Sequence, residues 1–130
     1  MSKQRVILVV CSQEVTAKLL CMMLEKQGFH VILVRTVDEA NEGVDMRSVD
    51  VLVLDMVHSH SSGVTAIEDI RRTSTMPIIV LSTVSRRALI CQALEAGASA
   101  FITKPFAAKS LFAKIRQALL PQISNMDALR

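Results

Sequence analysis

Five short apolar runs alternate along the chain with five stretches in which apolar residues recur every three or four positions. The runs are Val6 to Val10, His30 to Val34, Val51 to Leu54 with Asp55 at its end, Ile78 to Leu81, and Ala100 to Thr103. Short runs rich in β-branched residues fit strands buried on both faces, as in a parallel sheet. Between the first two lies helix spacing from Glu14 to Gln27. Val15, Leu19, Met22 and Met23 fall on its apolar face, and Gly28 stands where a terminating glycine belongs. Thr36 and Glu39 have the form of a capping box, which predicts a short helix to about Arg47. Val64, Ile67 and Ile70 space a third helix ending on Arg71 and Arg72, and Ser85 to Ala96 a fourth that stops at Gly97. Leu111, Ile115 and Leu119 space a fifth, terminated by Pro121. Strand and helix alternating five times predict a three-layer α/β/α, doubly wound, five-stranded parallel sheet with right-handed crossovers.

Composition narrows the function classes. With 130 residues, 51% of them apolar and 21% charged, the chain is expected to form one domain over residues 1–121, leaving 122–130 as a tail or the start of a linker. No apolar run approaches the ~18 residues of a membrane span, and the first residues do not read as a signal peptide. A cytoplasmic protein without membrane contact is expected. Cys11, Cys21 and Cys91 form no paired spacing, so disulfides are not expected. The net charge of +3 comes without a dense basic cluster, and there is no Trp or Tyr to stack on bases. Nucleic-acid binding by this chain alone is therefore excluded from the expectations.

The chemistry-bearing residues stand at the carboxyl ends of the predicted strands: Cys11 and Ser12, Asp55, Ser82 and Thr83, and Lys104. Open α/β sheets place their ligands at that edge. A carboxylate can attack phosphorus, a hydroxyl can bond a phosphoryl oxygen, and an ammonium can neutralise the charge that develops. The plainer alternative is that Asp55 caps a turn or pairs with a lysine.

Four segments together carry a family resemblance: Val51-Leu52-Val53-Leu54-Asp55 with Gly63 eight residues on, Pro77-Ile78-Ile79-Val80-Leu81-Ser82, Ala93-Leu94-Glu95-Ala96-Gly97-Ala98, and Lys104-Pro105-Phe106. In this order and spacing the chain resembles the receiver domains of bacterial two-component response regulators, from Arg5 to about Leu120. The resemblance implies a flavodoxin-like sheet of order 2-1-3-4-5. It also implies a regulatory domain that is not itself an enzyme. By it, Asp55 matches the phosphoacceptor, Ser82 (with Thr83 beside it) the switch hydroxyl, Phe101 the switch aromatic and Lys104 the site lysine, with a cis bond before Pro105. The implied partners are a histidine kinase and an output domain or protein, with a homodimer through the face made by the fourth and fifth helices.

One departure changes the expected function. Receivers carry two acidic residues after the first strand that hold Mg²⁺, and here those positions are Cys11 and Ser12, followed by Gln13. A thiol and a hydroxyl are poor ligands for a hard cation. Mg²⁺ binding is expected to be weak or absent, and no other cofactor is expected. The loop after Asp55 has Ser59 and Ser62 where the family favours proline and an acidic residue, and Ala107 replaces the usual cap of the last helix. The expectation is an atypical receiver, kept as a regulatory or protein-interaction module, with phosphorylation of Asp55 impaired or lost. A working phosphoacceptor switch is the first alternative. A metal or cofactor site at the edge formed by Cys11, Asp55 and His58, with His60 nearby, is the second, though no spacing motif supports it. Cys11 precedes a helix N-terminus, which would lower its pKa, but nothing supplies a general base. Cys21 and Cys91 are expected in core or half-buried positions.

Overall fold

The computed structural model describes residues 4–56 and 61–120. Five strands, β1 (Val6–Val10), β2 (His30–Val34), β3 (Val51–Met56), β4 (Ile78–Ser82) and β5 (Ala100–Thr103), pair in parallel in the order β2-β1-β3-β4-β5. Helices α1 (Glu14–Lys26), α2 (Val37–Gly43), α3 (Ser61–Arg71), α4 (Arg87–Ala96) and α5 (Ala108–Leu119) connect them or follow the last. This is the three-layer sheet the alternating pattern predicts. Pro121, the tail 122–130 and the loop residues His58, Ser59 and His60 lie outside the described residues.

Alternation along the strands divides the core in two. Leu8, Leu52, Leu54 and Val80 face α2, α3 and α4, whose Ala40, Ile67, Ile70, Leu89 and Ala93 close over them. Ile7, Val9, Val51, Val53 and Leu81 face the other way, under Ala17, Leu20 and Leu24 of α1 and Leu111 and Ile115 of α5. Burial on both sides is why the strands read as unbroken apolar runs. Each wholly buried Leu or Ile contributes about 1.5–3 kcal/mol of transfer free energy. At the foot of β3, Asp50 accepts a 2.7 Å hydrogen bond from the Val6 amide and pairs with Arg5 at 3.5 Å, which helps set β1 beside β3.

Several boundaries and one face differ from expectation. In α1, Val15, Leu19 and Met22 are 71%, 55% and 60% exposed, and Met23 is only partly packed. The helix is apolar on more than one side, and the side bearing the small Ala17 is the one laid on the sheet. The second helix ends at Gly43, short of Arg47, because Val44 is extended and Asp45 caps a separate 3₁₀ turn, Met46–Ser48, accepting from the Arg47 amide at 3.1 Å. Thr36 does accept from the Glu39 amide at 3.1 Å, but the Glu39 carboxylate bonds the amide of Arg35, one residue before the cap. Helix α4 starts at Arg87, two residues late, with Arg86 as an N-cap that makes no side-chain bond. Cys21 is half-buried, whereas Cys91 is exposed, on the side of α4 away from Leu89 and Ala93. All three cysteines are free.

Gly97 takes φ +123° at the end of α4. A Cβ there would strike the Arg71 side chain, whose Nε donates to the Gly97 carbonyl at 2.9 Å and whose Nη1 donates to the carbonyls of Met76 and Ser74. One half-buried guanidinium thus ties the ends of α3 and α4 to the turn before β4.

Candidate functional site

The register of the central strands builds the site. Val10 of β1 lies beside Leu54 of β3, so the next residue of each, Cys11 and Asp55, meet at the carboxyl edge of the sheet. Both belong to the same sheet face by alternation, the α1 and α5 side. Asp55 stands beside Leu81 of β4 and Met56 beside Ser82, which brings Ser82 to the same edge. Lys104 follows β5, its amide donating to the Ser82 carbonyl at 2.7 Å and the Lys104–Pro105 bond being cis.

Asp55 is held from two sides. Its side chain is fully buried, and Lys104 Nζ bonds Oδ1 at 2.5 Å. The Cys11 Sγ lies 3.2 Å from Oδ2 and 3.5 Å from the Gln13 carbonyl. A thiol has one proton to donate, and the nearer, anionic oxygen is the stronger acceptor. Burial, and then this bond to Asp55, push the Cys11 thiol up from 9.0 to about 11. The expected lowering by a helix N-terminus is overturned: α1 begins only at Glu14, and burial beside a carboxylate outweighs the dipole. Cys11 is a neutral donor at physiological pH, not a nucleophile.

The remaining predicted residues take distinct places. Ser82 is buried, its Oγ accepting from the Val84 amide at 3.0 Å in a local turn. Thr83 is exposed and lines, with Gln13, Thr16, Leu20, Lys104 and Phe106, a groove between α1 and the start of α5. Phe101 is half-buried on the opposite sheet face, packed on the core under α4. Ser12 is exposed. Ala107 is the N-cap of α5 and makes no side-chain bond. Among the described residues no group of three or more His, Cys, Asp and Glu side chains could hold a metal ion, and His58 and His60 lie outside them. Sequence reading placed Cys11 at this edge but missed its bond to Asp55. It also missed a hollow of about 360 Å³ on the other side of Asp55, between Thr36, Asp38, Gly63 and Asp69. A Cβ at Gly63 would run into the Met56 side chain, which would have to shift to admit it.

Residues 7–116 match the response regulator receiver domain family. The chain belongs to that family. Relatives include the sensory transduction protein RegX3 of Mycolicibacterium smegmatis, 30% identical over 94% of this chain and 54% of that protein. The phosphate regulon transcriptional regulatory protein PhoB of Escherichia coli is 31% identical over 94% and 54%. The chain spans about half the length of the curated relatives it matches. Among solved structures, a two-component response regulator from Clostridium difficile superposes with a TM-score of 0.82 at 26% identity, covering 89% of this chain and 96% of that one. The BeF3-activated N-terminal receiver domain of Klebsiella pneumoniae RstA gives 0.82 at 26% identity, covering 90% and 100%. Receiver domains are regulatory, and no helix among the described residues is long and apolar enough to cross a membrane.

Proposed function

We propose that this receiver domain is a regulatory protein-interaction module in which Mg²⁺-dependent phosphorylation of Asp55 is impaired or lost. The observation that carries the reading is the bond from the Cys11 thiol to Asp55 Oδ2. The side chain that would share a cation with Asp55 instead donates a proton to it. Mg²⁺ takes oxygen ligands in near-octahedral geometry, and the donor set at this edge, one carboxylate, one neutral thiol and the exposed Ser12, does not fit it. Asp55 and Lys104 then form a buried ion pair that fixes β3 to the end of β5.

The domain acts in the cytoplasm through protein partners, a histidine kinase or an output domain, with the α4 and α5 face as the contact to an output partner or a second copy. The names of several relatives describe transcriptional regulators about twice this length, which supports an output domain in the natural protein.

The test is intact mass after incubation with acetyl phosphate, with and without Mg²⁺, beside an Asp55→Asn control. The expected result is no Asp55-dependent adduct from folded protein. An adduct that requires Asp55 establishes instead a working phosphoacceptor switch, the reading favoured by Ser82 and Lys104 at the site edge. A third reading, a soft-metal site at Cys11, Asp55 and His58, predicts a Zn²⁺-dependent rise in melting temperature that Cys11→Ala abolishes.

A further inference from the structure

The two ends of α4 are finished differently. At the amino end Arg86 is the N-cap and makes no side-chain bond, and no acidic residue stands in the first turn. Arg86 and Arg87 are instead both exposed there. Positive charge at that end opposes the helix dipole, and a start without a side-chain cap leaves its first amides to water. Packing adds little, since Leu89 is the only side chain of this first stretch that is buried, and Ala93 the only other in the helix.

The carboxyl end is closed repeatedly. The Ala98 amide returns to the Ala93 carbonyl at 3.0 Å, with Gly97 at positive φ just before it. Ser99 then grips Ile78 of β4: its amide donates to the Ile78 carbonyl at 2.7 Å, and its Oγ accepts from the Ile78 amide at 3.1 Å. A last closure comes from outside the helix. α4 has no basic residue in its own last turn, and the cation that its dipole favours there is Arg71 of α3, donating to the Gly97 carbonyl. Among the described residues Arg71 makes no ion pair, and its other bonds go to the carbonyls of Ser74 and Met76. Those two residues lead into β4, an inner strand that is buried throughout.

We propose that Arg71 is the pivot of α4: it holds the carboxyl end of the helix to the start of β4, so that α4 opens from its amino end. That amino end is joined through Val84 to Ser82 at the edge of the site. Local opening therefore reaches the site edge while Gly97 stays fixed. Arg71 is a positioning residue in this scheme, and its role is the same whether or not Asp55 accepts phosphate.

Native-state hydrogen exchange, resolved by residue with NMR on the whole chain, tests the proposal. The amide of Ile90, bonded to the Arg86 carbonyl, reports the amino end, and those of Gly97 and Ala98 report the other. The amides of β1 report global unfolding. In the parent, protection at Ala98 is expected to exceed that at Ile90 by about tenfold. Arg71→Met is expected to lower protection at Gly97 and Ala98 by about tenfold more than in β1, bringing them to the level of Ile90. Arg71→Lys keeps the charge but loses the planar fork, so it should show the same excess loss to a smaller degree. It supplies the comparison should Arg71→Met fail to fold. Arg86→Asp adds a capping acceptor and should raise protection at Ile90 about fivefold without changing Gly97. Equal protection at the two ends of α4 in the parent overturns the proposal. So does a loss in the Arg71 variants that is no larger at Gly97 and Ala98 than in β1, which is what a merely structural arginine would give.

Discussion

Asp55 has two sides, and they differ in what each demands of the carboxylate. On the Lys104 side a full positive charge meets Oδ1 in a buried ion pair. On the Cys11 side a neutral thiol meets Oδ2. The first side sets a cation against the carboxylate, and the second sets a neutral hydrogen-bond donor against it. The difference teaches that the charge pairing of one buried carboxylate and any metal chemistry at it depend on different neighbours, so the two can be varied separately. It also orders the experiments by how much of the pair each removes.

The largest effect belongs to Lys104→Met. It leaves a buried carboxylate with only a weak thiol donor, and removing one member of a buried pair costs about 3–5 kcal/mol. Urea unfolding at neutral pH should show that loss, and adding Asp55→Leu should recover most of it by removing the orphaned charge. A single-mutant loss under about 1 kcal/mol would mean that Asp55 does not depend on Lys104, and the two sides would be equivalent.

An intermediate effect comes from rebuilding the other side. In Cys11→Asp/Ser12→Asp a second carboxylate takes the place of the thiol beside Oδ2, so the metal-free protein should be less stable than the parent. Mg²⁺ should then raise its melting temperature, by an amount equivalent to about 2.7 kcal/mol at a hundred times the dissociation constant. The parent should show no such rise. Equal responses of parent and variant to Mg²⁺ would place these positions away from the cation site.

Most of this architecture was legible in the sequence because it rests on local rules. Buried parallel strands must be apolar runs, Gly28 and Gly97 must end helices in the left-handed region, and Asp55 and Lys104 stand at strand ends where the topology converges. What was not legible depends on neighbours distant along the chain. Periodicity could not say which of the apolar sides of α1 meets the sheet, since Val15, Leu19 and Met22 are spaced as well as Ala17, Leu20 and Leu24. The protonation of Cys11 was misjudged for the same reason. Its helix is next in sequence, but burial in the folded core dominates, followed by the bond to a carboxylate 44 residues away. The end of α2 was set by a local competitor that the pattern hid, the Asp45 side chain capping its own turn.

The smallest effect is also the most specific to the Cys11 side. Cys11→Ala removes one hydrogen bond to Oδ2 and a small apolar group, and should cost about 1 kcal/mol at neutral pH, since a thiol is a weak donor. Its pH dependence carries the information. The folded thiol titrates near 11 and the unfolded one near 9.0, so the proton is held more tightly in the folded chain. The stability the thiol contributes is fully present below pH 9.0 and is lost as pH rises through about 11, because the unfolded state releases the proton first. The parent should therefore lose its advantage over Cys11→Ala across that window. A constant difference from pH 7 to 11 would mean that Cys11 does not give its proton to Asp55. In that case Oδ2 is open to another partner, and the asymmetry between the two sides disappears.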